Sequence, residues 1–186
     1  MGRDIYYTVQ IILQVTKLSD MMKTCVIYYS RTGNTAMVAR TLAEELDADL
    51  IEIRDLEDRK GFMSSLRSSI DALRESKTPI KPEKVDLSGY DLVYIGTPTW
   101  AGKPAPAIIT LIDRVDFLGK DVILFTTMSR QGGEGAIERM AEKIRARGGR
   151  IINFFIQKTA GKELIQVRDD TLRIINEKDL KIYEAR

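Results

Sequence analysis

The stretch "TCVIYYSRTGNTAMVARTLAEELD", residues 24–47, decides how the rest of the chain is read. Its first six residues are β-branched or aromatic apart from Cys25, the composition of a buried strand. Its last thirteen place Met37, Val38, Leu42 and Leu46 at helical spacing. Between strand and helix stand Ser30, Arg31, Thr32, Asn34 and Thr35, each with a hydroxyl, amide or guanidinium, and Gly33, which allows a tight turn. A loop that leaves a strand and opens a helix presents free backbone N–H groups and the positive end of the helix dipole, which together favour an anion. The same residue types also cap helices without any ligand, and both readings stay open at this point. The spacing is neither that of the Gly-x-x-x-x-Gly-Lys phosphate loop nor that of the Gly-x-Gly-x-x-Gly dinucleotide fingerprint. A phosphate held here would be anchored rather than transferred.

Outward from this unit the alternation of strand and helix continues. "ADLIEIRD" (48–55), "YDLVYIGTP" (90–98), "KDVILFTTM" (120–128) and "RIINFFIQK" (150–158) read as four more strands. "PAPAIITLIDRV" (104–115) and "EGAIERMAEKIRARGG" (134–149) read as helices, the second with Ile137, Met140, Ala141 and Ile144 on one face. "RKGFMSSLRSSIDALRES" (59–76) carries Phe62, Leu66, Ile70 and Leu73 on a helical stripe, "TPIKPEK" (78–84) reads as a linker, and "TLRIINEKDLKIYEAR" (171–186) as a last helix and exposed end. The pattern predicts an α/β fold with a parallel sheet and helices on both faces. In such sheets ligands sit beyond the carboxyl ends of the strands. "SRTGNT", "TPTWAGKPAP" and "MSRQGGEG" all fall at those ends. In the second of them Trp100, the single Trp, either folds back on the core or offers its face to a flat heterocycle.

Composition narrows the function. The 186 residues are 44% hydrophobic and 30% charged, as in a soluble one-domain protein, and the net charge of +2 from 29 basic and 27 acidic side chains argues against a nucleic-acid binder. The lone Cys25 excludes an internal disulfide and suits a reducing cytoplasm. Histidine is absent, which removes His-based catalysis and His metal ligands and directs attention to an organic cofactor. Residues 1–21 read as a peripheral or non-native extension: "IYYTVQIILQVTKL" is too short for a membrane span, no signal-peptide cleavage site follows, and Tyr6 speaks against myristoylation. Met21 and Met22 then precede the main domain, expected over 22–178, with 179–186 as an exposed tail.

From Lys23 to about Lys158 the chain resembles the flavodoxin family. "SRTGNT" is similar to the family's phosphate loop, and "DLSGYDLVYIGTPTWAGKPAPAI" to its flavin-stacking loop with Trp100 in the aromatic slot. The resemblance implies a doubly wound, three-layer, parallel five-stranded sheet of order 2-1-3-4-5 that binds FMN. It implies that Ser30, Arg31, Thr32, Gly33, Asn34 and Thr35 surround the phosphate. Thr97, Pro98, Thr99, Trp100, Ala101 and Gly102 would line one side of the ring, and Met128, Ser129, Gln131, Gly132 and Gly133 its edge and outer face. No catalytic acid or base and no metal ligand is assigned. The third loop has no second aromatic and the chain is not strongly acidic, unlike many family electron carriers. An open flavin face suits a reductase stacking NAD(P)H or a quinone, so carrier and oxidoreductase, redox partner protein and small acceptor, monomer and homodimer remain alternatives. Ala101, where a Gly would ease the left-handed backbone, places that conformation one residue later at Gly102. Cys25 and Arg31 stand at cysteine-phosphatase spacing, but "VIYYS" between them reads as strand, and an apolar mid-strand thiol is a poor nucleophile. A flavodoxin-fold interaction module without catalysis is the third class.

Overall fold

Successive side chains of a strand point to opposite faces, so a strand buried on both faces is apolar throughout. The segment Thr24–Tyr28 (β1) does this: Cys25 and Ile27 enter one core, Val26 and Tyr28 the other. The computed structural model describes residues 23–57 and 77–181. Helix Asn34–Leu46 (α1) follows, then Asp49–Glu52 (β2), Arg54–Asp55 (β3), Ile80–Lys81 (β4), Leu92–Trp100 (β5), Lys103–Pro104 (β6) and helix Pro106–Arg114 (α2). Asp121–Met128 (β7), helix Gly133–Arg145 (α3), Arg150–Lys158 (β8) and helix Leu164–Glu177 (α4) complete the order.

The five long parallel strands lie in the order β2-β1-β5-β7-β8, which is the expected 2-1-3-4-5. Helices α2 and α3 cover one face with Ile108, Leu111, Ile137, Met140 and Ile144. Helices α1 and α4 cover the other with Val38, Leu42, Val167 and Ile175. On that second face the Phe125 ring stacks on Phe155 at 5.5 Å and lies so close over Gly96 that a Cβ there would come within 2.0 Å of it. Gly96 thus lets β5 carry its polar end, Thr97 onward, to the edge where α1 begins.

Five expectations change. The segment "TPTWAGKPAP" is not a loop: β5 runs on to Trp100, turns through Ala101 (φ 48°) and Gly102 (φ 77°), and pairs back antiparallel as β6. Two positive φ values in a two-residue hairpin match the right-handed twist of the flanking strands. The left-handed backbone therefore begins at Ala101 itself. The "TPIKPEK" linker contains β4, which pairs antiparallel with β3. The last helix starts at Leu164 rather than near Thr171, because Glu163 and Gln166 form a reciprocal capping box. Within the expected exposed tail Leu180 is buried, and its carbonyl lies 3.5 Å from the Tyr94 hydroxyl. The expected helix over 59–76, the extension 1–21 and residues 182–186 lie outside the described residues.

Candidate functional site

All three polar segments singled out in the sequence meet at the carboxyl end of the sheet. The first leaves β1 at Tyr29, whose N–H donates to the Gly96 carbonyl at 3.1 Å. Ser30 Oγ accepts the Gly33 N–H at 3.2 Å, and Gly33 (φ 95°) starts α1. No side chain caps α1 and its first turn holds no acidic residue. The free N–H groups of its first turn therefore face outward beside Ser30, Arg31, Thr32 and Asn34, of which Arg31 and Thr32 are exposed. A Cβ on Gly33 would meet nothing within 4 Å, so this cradle is open.

Threonines tie the loops together beneath the surface. Thr35 Oγ1 lies 2.8 Å from Thr127 Oγ1, and Asn34 Nδ2 donates to Thr159 Oγ1 at 3.2 Å. Thr159 N–H in turn donates to the Met128 carbonyl at 3.0 Å, joining the ends of β7 and β8. Thr99 and Thr126 hydroxyls are 2.7 Å apart. Thr97 is fully buried: its Oγ1 accepts the Ala105 N–H at 2.9 Å, and its carbonyl accepts from Thr126 Oγ1 at 2.8 Å. The side chain of Thr97, one of the residues expected beside the ring, is thus enclosed and anchors the hairpin to α2. Thr35, Met128 and Gly133 are also buried.

Trp100 ends β5 half-buried, packed on the core from one side. Its ring meets Tyr29 edge-on, centroids 5.8 Å apart at 86°. Core contacts thus steady the ring, while part of it stays exposed at the carboxyl end of the sheet. Pro98, Thr99 and Gly102 are likewise half-buried, while Ala101, Ser129 and Gln131 are exposed. The hairpin and the third loop touch through backbone, for a Cβ on Gly132 (φ 92°) would lie 2.8 Å from Gly102 Cα. Helix α3, like α1, has a left-handed glycine at its N-terminus and no side-chain cap.

A family model for flavodoxin matches residues 23–167. The chain belongs to the flavodoxin family. Flavodoxin 1 of Salmonella typhimurium is 28% identical over 109 residues, covering 56% of this chain and 49% of that protein. The chain spans about half the length of the first curated relatives it matches, 49% and 45%. A Bacteroides uniformis protein of known crystal structure superimposes with a TM-score of 0.66 at 25% identity, over 80% of this chain and 96% of that one. A Lactobacillus acidophilus flavoprotein solved in complex with FMN gives a TM-score of 0.60 at 26% identity, over 74% and 94%.

Charge at the two ends of this flavodoxin-family sheet differs. At the amino end it is paired: Arg150 with Asp121, the Lys23 N–H with Asp91, and the Tyr90 hydroxyl with Asp49. At the carboxyl end Arg31, Lys103, Arg130 and Lys158 are exposed, and none is ion-paired among the described residues. Cys25 has no place in the site. It is fully buried in β1, and burial first, then the Asp49 charge, pushes its thiol up to about 12. A group that stays a neutral thiol at physiological pH cannot attack a phosphate, so the phosphatase alternative loses its nucleophile. Sequence reasoning missed Tyr29, Thr126, Thr127 and Thr159, whose contacts come from neighbouring strands. Among the described residues no group of acidic, Cys or His side chains could hold a metal, and no helix is long and apolar enough to cross a membrane.

Proposed function

We propose that the chain binds FMN across the three loops and transfers electrons through it, taking them directly from a reduced nicotinamide. One observation carries the reading: an uncapped, hydroxyl-rimmed helix N-terminus and the open surface of Trp100 stand side by side at the carboxyl end of the sheet. These residues fit a flat ring bearing a phosphate monoester. Bound FMN supplies the electron-accepting and electron-donating chemistry.

The chain's own residues bind and orient. Backbone N–H groups of Asn34, Thr35 and Ala36, with the Ser30, Thr32 and Asn34 side chains and Arg31, hold the phosphate through charge-assisted hydrogen bonds. Trp100, steadied by Tyr29, presents a stacking surface, and Pro98, Thr99, Ala101 and Gly102 shape that wall. Ser129, Gln131 and the amides of Gly132 and Gly133 serve the polar edge. No side chain has to move a proton, in keeping with a chain that has no histidine. The four exposed cations, unpaired among the described residues, raise the local concentration of anions at the rim, which supports NAD(P)H over a neutral quinone as the small reactant.

The visible spectrum of the purified protein before and after anaerobic NADPH or NADH tests this. Flavin absorbance bleached directly by the nicotinamide is the expected result. Bleaching only with a partner reductase would make the protein an electron carrier. Colourless protein that FMN fails to reconstitute would overturn the reading.

A further inference from the structure

We infer that Gly132 and Gly135 are positioning residues for the Trp100 hairpin: lacking side chains, they let the third loop and the first turn of α3 close on the Gly102 peptide, joining two walls of the site into one unit. A Cβ on Gly135 would lie 2.7 Å from the Gly102 carbonyl oxygen, and one on Gly132 would lie 2.8 Å from Gly102 Cα and 3.2 Å from Gly102 N. The atoms it would strike belong to backbone, which has no rotamer by which to yield. Both glycines therefore press on the backbone of one residue, Gly102, two beyond Trp100.

Gly135 is the more telling of the pair. It lies inside α3, where glycine is a poorer helix former than alanine, and its φ is not positive, so no turn geometry accounts for it. The close approach of Gly102 does. On the other side the hairpin meets Tyr29 through the edge-on ring contact, and its base is tied by the Thr99–Thr126 hydroxyl pair. Helix α3 packs along β6 as well. The hairpin that carries Trp100 is thus bracketed between Tyr29 and α3, and a displacement of the third loop is passed to it through Gly102. For its flavin consequences this inference rests on the FMN reading, but the contact itself does not.

Gly135→Ala in the full chain tests it, with Gly89→Ala as the control because a Cβ at Gly89 meets nothing within 4 Å. Trp100 is the only tryptophan, so the emission and near-ultraviolet circular dichroism of flavin-free protein report on the hairpin. G135A should alter both signals while leaving far-ultraviolet helix content unchanged. It should also raise the FMN dissociation constant several-fold and shift the flavin midpoint potential; G89A should do none of these. A G135A protein with wild-type Trp100 signals overturns the proposal. In the unsubstituted chain, nuclear Overhauser contacts between the α-protons of Gly102 and Gly132 read the same packing, and their absence overturns it even if G135A fails to fold. A protein that takes up no FMN refutes the flavin reading alone and leaves these two measurements to decide the clamp.

Discussion

Thr97→Val separates a buried anchor from a ligand contact. The substitution keeps the branched shape and removes the hydroxyl. In the native protein Thr97 Oγ1 accepts the Ala105 N–H at 2.9 Å and stands 3.1 Å from the Pro98 carbonyl, and both Thr97 and Ala105 are fully buried. Without the oxygen the Ala105 N–H is left in the interior with no acceptor, a loss of about 1–3 kcal/mol. The methyl that replaces the hydroxyl returns up to ~0.8 kcal/mol of apolar burial. At the middle of that range the net destabilisation is about 1 kcal/mol. For a domain of this size each kcal/mol lowers the melting temperature by about 2–4 °C, so the fall should be roughly 2–4 °C. Thr97→Ser, which keeps the oxygen, should retain most of the stability. Thermal unfolding of the flavin-free protein, followed by circular dichroism alongside an FMN titration, gives both readings. If T97V melts like the native protein and yet loses FMN, Thr97 is a ligand contact and the anchoring argument is wrong.

Three further outcomes follow from the same geometry. Ala101→Gly should raise stability by about 0.5–1 kcal/mol in denaturant unfolding, because it relieves an alanine held at φ 48°; a destabilised variant would refute the strain. Trp100→Ala should weaken FMN binding by roughly 0.5–1.5 kcal/mol of stacking beyond the area lost. Because the ring is half-buried, the flavin-free protein should also lose ~1–3 kcal/mol, less than for a full core residue, and unchanged flavin affinity would remove Trp100 from the site. Cys25, with its thiol pushed up to about 12, stays protonated throughout the neutral and mildly alkaline range, so thiol reagents at pH 8 should label it only after unfolding. Rapid labelling of folded protein would contradict its burial.

The central strands of this fold were legible because burial on both faces demands continuous apolar, β-branched runs; β7 was expected at 120–128 and is found, buried throughout, at Asp121–Met128. The hairpin was not legible. "TPTWAGKPAP" read as a loop, whereas Pro98 sits near the carboxyl end of β5, and the turn uses Ala101 where an Asn or Asp before Gly would have announced it. Helix α4 was placed too late because its opening exposes Leu164 and Ile165, so the apolar period becomes visible only further along. The ligand-facing loops could be found from strand ends and polar composition. Their mutual contacts could not, since Thr35 meets Thr127 and Gly102 meets Gly132 only once β1, β5 and β7 lie side by side. Thr97 illustrates the limit: a threonine in a motif looks like a donor to a ligand until its burial is known.

The central claim is that the α1 N-terminus and Trp100 together hold FMN by its phosphate and its ring, and titrating flavin-free protein with FMN and with riboflavin tests it most directly. Quenching of Trp100 emission reports the ring, and the difference between the two ligands reports the phosphate. The account predicts saturable quenching by FMN and far weaker binding of riboflavin. Equal affinity for the two would contradict the phosphate cradle, and binding without quenching would contradict the role given to Trp100.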